Sequence, residues 1–103
     1  MNKHDLTIDR LVRRLESKGY DQMFLRLEYS GYNNRKKKVC GEFDVLAIKG
    51  RRAVYYEIKS NDTKKGYGKA LVQFQRASPV LRRMGYSACF VYVTPTRVLR
   101  VRF

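Results

Sequence analysis

The segment GEFDVLAIKGRRAVYYEIKS, residues 41–60, constrains the fold more than any other part of the chain. Two strand-like runs, 42–48 and 53–59, flank Gly50-Arg51, and glycine at the first loop position suits a two-residue type II′ hairpin turn. That turn places Asp44 opposite Glu57 and Glu42 opposite Lys59. Side chains alternate with period two, so all four project from one face. Phe43, Val45 and Ala47 then join Val54, Tyr56 and Ile58 in an apolar surface on the other.

Directly opposed residues have Cβ atoms about 4.5–5.5 Å apart, and like charges there are destabilising. Left unpartnered, such a pair drives one carboxylate pKa upward. A divalent cation removes the conflict, since Mg²⁺ binds through one or two carboxylates and accepts phosphate oxygens as further ligands. Asp44, Glu57 and Glu42 are therefore the candidate metal ligands, for Mg²⁺ or Mn²⁺. Lys59 lies two residues past Glu57 on the same face, where its ammonium can orient a water or stabilise developing negative charge. The bland alternative is a half-buried hairpin with an exposed Glu42–Lys59 ion pair; it leaves Asp44 facing Glu57 unexplained.

The charge balance points to the partner. Twenty-three Lys and Arg against nine Asp and Glu give a formal net charge of +14. Such an excess is self-repulsive unless a polyanion uses it, and nucleic acid is the usual polyanion because neutralised phosphates release counterions. Arg35, Lys36, Lys37 and Lys38 fall in SGYNNRKKK, residues 30–38, which reads as a solvated loop before the metal strand. Lys64 and Lys65 fall in the polar connection 61–68 after it. Both groups are expected to flank the site as phosphate contacts that position without reading sequence. Tyr29, Tyr32 and Tyr67 nearby are candidates for stacking on unpaired bases.

The remaining elements follow from periodicity. Ile8, Leu11, Val12 and Leu15 predict a helix over 5–18, capped by Asp5 or Thr7 and stopped at Gly19. Residues 22–29 read as a strand. Ala70, Phe74, Ala77, Leu81 and Met84 predict helix over 69–84, broken at Pro79, with Ser78 capping a second short helix that ends at Gly85. Residues 87–94 read as a buried strand and 98–103 as a strand with one wet face. The order α-β-β-β-α-β-β predicts a mixed sheet flanked by helices in a single domain, 1–103. Two cysteines without metal-site spacing, no apolar leader and no run long enough for a membrane span predict an intracellular protein, in cytoplasm or nucleoid, of cellular or viral origin. His4, at the terminus, is not expected to be catalytic.

Asp44 followed after a dozen residues by Glu57-Ile58-Lys59 resembles the PD-(D/E)XK nuclease superfamily. GEFD with YEIK is most similar to archaeal Holliday-junction resolvases and their small bacterial relatives, although Glu42-Phe43-Asp44 lacks the name-giving proline. The resemblance covers most of the chain. It implies an α/β restriction-endonuclease-like core and a Mg²⁺-dependent endonuclease acting on DNA, with branched or junction DNA as substrate. Asp44 and Glu57 would be metal ligands and Lys59 the catalytic lysine. Glu16 matches a helical glutamate of the superfamily, with Asp9 as the alternative. Gln73 matches a glutamine on the helix after E-x-K, with Gln75 as the alternative. Lys69, Gln73 and Arg76 share that helix's face and would grip the backbone near the cut. Cleavage of a junction needs paired sites, hence a symmetric homodimer. Two other readings fit the same residues: a non-catalytic nucleic-acid-binding module on a nuclease-like fold, and an RNA endonuclease.

Overall fold

A computed structural model describes the backbone of residues 2–33 and 36–102, and of these the side chains of all but 31–33 and 36–40. The elements are α1 (Lys3–Glu16), β1 (Gln22–Asn33), β2 (Lys36–Lys49), β3 (Arg52–Ile58), α2 (Lys64–Arg83), β4 (Ser87–Val93) and β5 (Val98–Val101). Their order is the one the periodicities predict. The five strands form one sheet in sequence order, antiparallel except for β3 and β4, which run parallel and are joined by α2. No helix among the described residues is long and apolar enough to cross a membrane.

Both faces of the sheet are covered, in keeping with the predicted mixed sheet flanked by helices. Ile8, Leu11 and Leu15 of α1 pack on Val45, Ala47, Val54, Tyr56 and Ile58. Ala70, Phe74, Ala77 and Leu81 of α2 pack on Leu46, Ile48, Ala53 and Tyr55. The central strand β3 is thus buried at every residue after Arg52. The β2–β3 register matches the predicted one, from Lys49↔Arg52 to Val45↔Tyr56. Gly50 adopts φ +58°, as the first position of a type II′ turn requires.

Phe43 departs from the expected surface. It belongs to the α2-side core, whereas Val45, two residues on, faces α1. The cause is local: β1–β2 pairing is interrupted at Arg26 and Asp44, and Arg26 takes a positive φ of 54°. The kink rotates β2 between Phe43 and Val45, at the level of Asp44.

Three boundaries also differ from expectation. α1 begins earlier, capped by Asn2, whose Oδ1 accepts from the Asp5 amide at 2.8 Å. Residues 30–33 and 36–38, expected in a loop, extend a β1–β2 hairpin with Ser30↔Val39 and Asn33↔Lys36 as partners. α2 starts at Lys64 under a Thr63 cap and runs unbroken through Pro79, so Ser78 is a buried helical residue and not a cap. An interior proline costs about 3 kcal/mol, but burying Phe74 and Leu81 on opposite sides of it contributes about 1.5–3 kcal/mol each. Pro79 itself is exposed, so the carbonyl it leaves unpaired, at exposed Gln75, meets water. Pro79→Ala should therefore raise stability by about 1–2 kcal/mol, read as a higher urea midpoint with unchanged m-value; a loss of stability would mean the proline fits the helix without strain.

Candidate active site

Several of the candidate side chains gather where β2 kinks and β3 ends. His4, Glu42, Asp44, Glu57, Ile58, Lys59, Ser60 and Gln73 line one cavity of about 370 Å³. Glu57 is the last-but-one residue of β3 and only 2% exposed. Tyr55, two residues back on the same face, donates its hydroxyl to Glu57 Oε1 at 2.6 Å, with the Glu42 carbonyl 3.2 Å away. Tyr55 is itself locked by edge-on contacts with Phe43 and Phe74 at centroid distances of 4.9 and 5.0 Å. Burial, reinforced by the nearby Asp44 and Glu57, pushes the Tyr55 hydroxyl well above its ordinary range, so it stays a donor.

Asp44 and Glu57 are not ladder partners, because β2–β3 pairing stops at Val45↔Tyr56. Asp44 instead turns across the end of β3, where its Oδ2 accepts from the Ile58 amide at 2.9 Å. It still faces Glu57 electrostatically. Burial and, next, the Asp44 charge push Glu57 up to about 7, while the Tyr55 hydrogen bond and Lys59 oppose the shift. The anticipated conflict between two carboxylates is therefore present, although its geometry is not a simple cross-strand pair.

Lys59 does not pair with Glu42, as cross-strand alternation suggested. Its Nζ lies 3.2 Å from Glu57 Oε2 and donates to Gln73 Oε1 at 3.3 Å. The Lys59 amide bonds to Val93 O, which carries the β3–β4 ladder one residue past Ile58, whereas β2–β3 pairing has ended at Val45↔Tyr56. Gln73 reaches the cavity from α2 one turn after Lys69; Gln75 is exposed. Lys65 and Lys69 line an adjoining hollow with Lys59, Ser60 and Thr63, while Lys64 and Arg76 are exposed on α2.

Other expected residues are not brought in. Glu16 is exposed at the far end of α1, about 18 Å along the helix from His4 at 1.5 Å per residue. Asp9 pairs with Arg13 at 3.3 Å. Helix α1 presents its N-terminal end to the site, so a glutamate in its last turn cannot reach. Tyr29 packs on Phe43 and Tyr67 on Tyr92, both against the α2-side core. Arg35 and the side chains of Tyr32, Lys36, Lys37 and Lys38 lie outside the described residues.

His4 is the residue that sequence reasoning passed over. Its Nε2 donates to the Ile58 carbonyl at 2.9 Å and lies 3.5 Å from Asp44 Oδ2. The signal was available: His4 continues the inward stripe of Ile8, Leu11 and Leu15 by one turn. Tyr55 was also missed, though period two puts it on the face of Glu57.

A divalent cation fits this donor set in one respect and requires rearrangement in another. Two carboxylates, one of them with its pKa raised by burial and then by the charge of the other, are relieved by a positive ion. Yet no group of three or more His, Cys, Asp and Glu stands ready around a common point among the described residues.

No family model matches the chain, and no curated protein matches it. Among solved structures, the crystal structure of SSO0001 aligns with a TM-score of 0.59 at 20% identity, covering 95% of this chain and 48% of that one. The likeness is one of fold. This chain spans about half the length of that protein, and the shared part is the α/β sheet with its helices.

The raised Glu57 pKa has a thermodynamic sign. A carboxyl whose folded pKa lies above its ordinary 4.5 favours the folded state only when protonated. Its contribution is complete below about pH 4.5 and lost as pH rises through about 7. Glu57→Gln should then leave Tm near wild type at pH 4.5 but raise it by at least about 5 °C at pH 8 without divalent metal. Equal Tm shifts at both pH values would contradict the assignment.

Proposed function

We propose that this chain is a divalent-metal-dependent endonuclease that hydrolyses DNA phosphodiester bonds on a restriction-endonuclease-like core of the PD-(D/E)XK type. The observation that supports the reading is the convergence of Asp44, Glu57, Lys59 and Gln73, drawn from β2, β3 and α2, in one cavity. Nothing in packing demands it: a buried carboxylate beside another carboxylate is costly, and an apolar pair would be more stable.

Asp44 and Glu57 would hold Mg²⁺ or Mn²⁺, with Glu42 at the cavity rim. The chemistry such an ion would supply is polarisation of the scissile phosphate and a lowered pKa for water. Lys59 is held by Glu57 and Gln73 while still 25% exposed, so its ammonium can meet the phosphate oxygen where charge develops. Gln73 fixes the lysine through its carbonyl and leaves its amide nitrogen as a donor. Tyr55 holds Glu57 in place. Lys65 and Lys69 beside the cavity supply phosphate contacts.

Branched or junction DNA is the proposed substrate, cut by a pair of chains. The edge strand β1 offers a surface for that pairing: Phe24, Leu25 and Leu27 are 36%, 51% and 38% exposed. Such apolar residues on an unpaired edge favour association.

The test is cleavage of a panel of four-way junction, flap, linear duplex, single-stranded DNA and RNA with Mg²⁺. Lys59→Ala, Asp44→Ala and Glu57→Ala should each lose at least about 10²-fold in rate while binding persists in EDTA. Glu16→Ala should stay within about twofold, as expected for an exposed residue remote from chemistry. Metal-independent binding without cleavage of any substrate would favour the non-catalytic module. Preferential cutting of RNA would reassign the substrate.

A further inference from the structure

The cavity that holds Asp44, Glu57 and Lys59 does not end at Ser60. Ser60 also stands on the wall of a larger hollow of about 560 Å³, bounded by Lys3, Leu6, Thr7 and Arg10 of α1 and by Pro95 and Thr96 after β4. Thr7, Arg10, Pro95 and Thr96 in turn wall a third hollow of about 310 Å³, which Arg14, Arg97 and Val98 extend. Hollows that share walls make one groove. It leaves the site and follows α1 along the β4–β5 side of the sheet.

Helix α1 sorts its charges around this groove. At 3.6 residues per turn, Lys3, Arg10 and Arg14 fall on one flank and Asp5, Asp9 and Glu16 on the other. The acidic flank is occupied elsewhere: Asp5 accepts from Arg26 of β1, and Asp9 pairs with Arg13. The basic flank lines the groove, and all three of its cations are exposed. Among the described residues on the walls of the second and third hollows, the single carboxylate is Asp62, which Arg97 holds at 2.6 and 3.2 Å. Leu6 and Val98, 39% and 55% exposed, add apolar surface along its length.

We propose that this groove is the track of the nucleic-acid strand beyond the scissile phosphate, with Lys3, Arg10 and Arg14 contacting its backbone. The inference rests on the nuclease reading for the identity of the site at its head. It adds a substrate requirement. The eleven helical steps from Lys3 to Arg14 span about 16 Å, and a strand of B-DNA rises about 3.4 Å per phosphate. The groove therefore takes about five nucleotides on one side of the cut. Its contacts are to phosphate and sugar, so it positions a polymer without reading its sequence.

The test is binding of a fluorescein-labelled 20-nucleotide single-stranded DNA in EDTA, over a salt series. Arg10→Ala/Arg14→Ala is compared with Arg82→Ala/Arg83→Ala, which removes the same charge from exposed positions in the last turn of α2. The groove variant should bind at least about tenfold more weakly, with a salt slope shallower by about 1.4, two contacts at about 0.7 each. The α2 variant should change less than about twofold, and Arg10→Lys/Arg14→Lys should restore most of the affinity. Equal weakening by both Ala variants, or none by the groove variant, would overturn the proposal. Because binding is read without metal, absence of cleavage in the nuclease assay leaves this outcome intact. Failure here leaves that assay standing.

Discussion

The organisation of the site depends on one buried carboxylate. Glu57, 2% exposed, sits at the end of the strand that crosses the middle of the sheet, between a tyrosine hydroxyl and a lysine ammonium and near a second carboxylate. A charge cannot be left in such a place without partners, and the neighbourhood supplies two. Tyr55 comes from the same strand and is immobilised by the aromatic rings of Phe43, Phe74 and Phe90. Lys59 comes from two residues on and is tied in turn to Gln73 of α2. The kink at Asp44 acts the other way, swinging a second carboxylate over the last amide of β3 while Phe43 turns back into the aromatic cluster.

Much of this was legible in the residues. The hairpin register followed from Gly50 and period-two patterning, because a slip of one residue would have exposed one whole face. The order of elements followed from apolar periodicity, the grouping of Asp44, Glu57 and Lys59 from the hairpin register, and the candidacy of Gln73 from the family resemblance. What escaped were effects that local pattern does not encode. Pro79 reads as a break, but tertiary burial on either side of it carries the helix through. Glu16 lies on the right helix for the resemblance, yet only the packed direction of α1 tells which end meets the site. Asp44 and Glu57 looked like a flat cross-strand pair because a backbone kink at Arg26 leaves no mark in hydrophobic pattern.

The strong net charge is also better resolved in three dimensions. Read along the chain, the cations form clusters near the hairpin. In the fold, those of α1 and α2 take separate sides of the site: Lys65 and Lys69 at the start of α2, and the basic flank of α1 along the opposite wall. Of the nine acids, Glu42, Asp44 and Glu57 line the cavity, and Asp5, Asp9 and Asp62 are committed to ion pairs with Arg26, Arg13 and Arg97. A basic surface of this kind gathers polyanions, and the carboxylates inside it weaken phosphate binding unless a cation joins them.

That last condition is the centre of the account, and calorimetric titration of Mn²⁺ at pH 7 in two buffers of different ionisation enthalpy tests it directly. The account predicts one ion bound per chain, with a fraction of a proton released because Glu57, pushed up to about 7, must ionise fully to take the metal. Glu57→Gln should release no proton, and Asp44→Asn should bind far more weakly. No binding at millimolar Mn²⁺, or uptake that is the same in all three proteins, would contradict it.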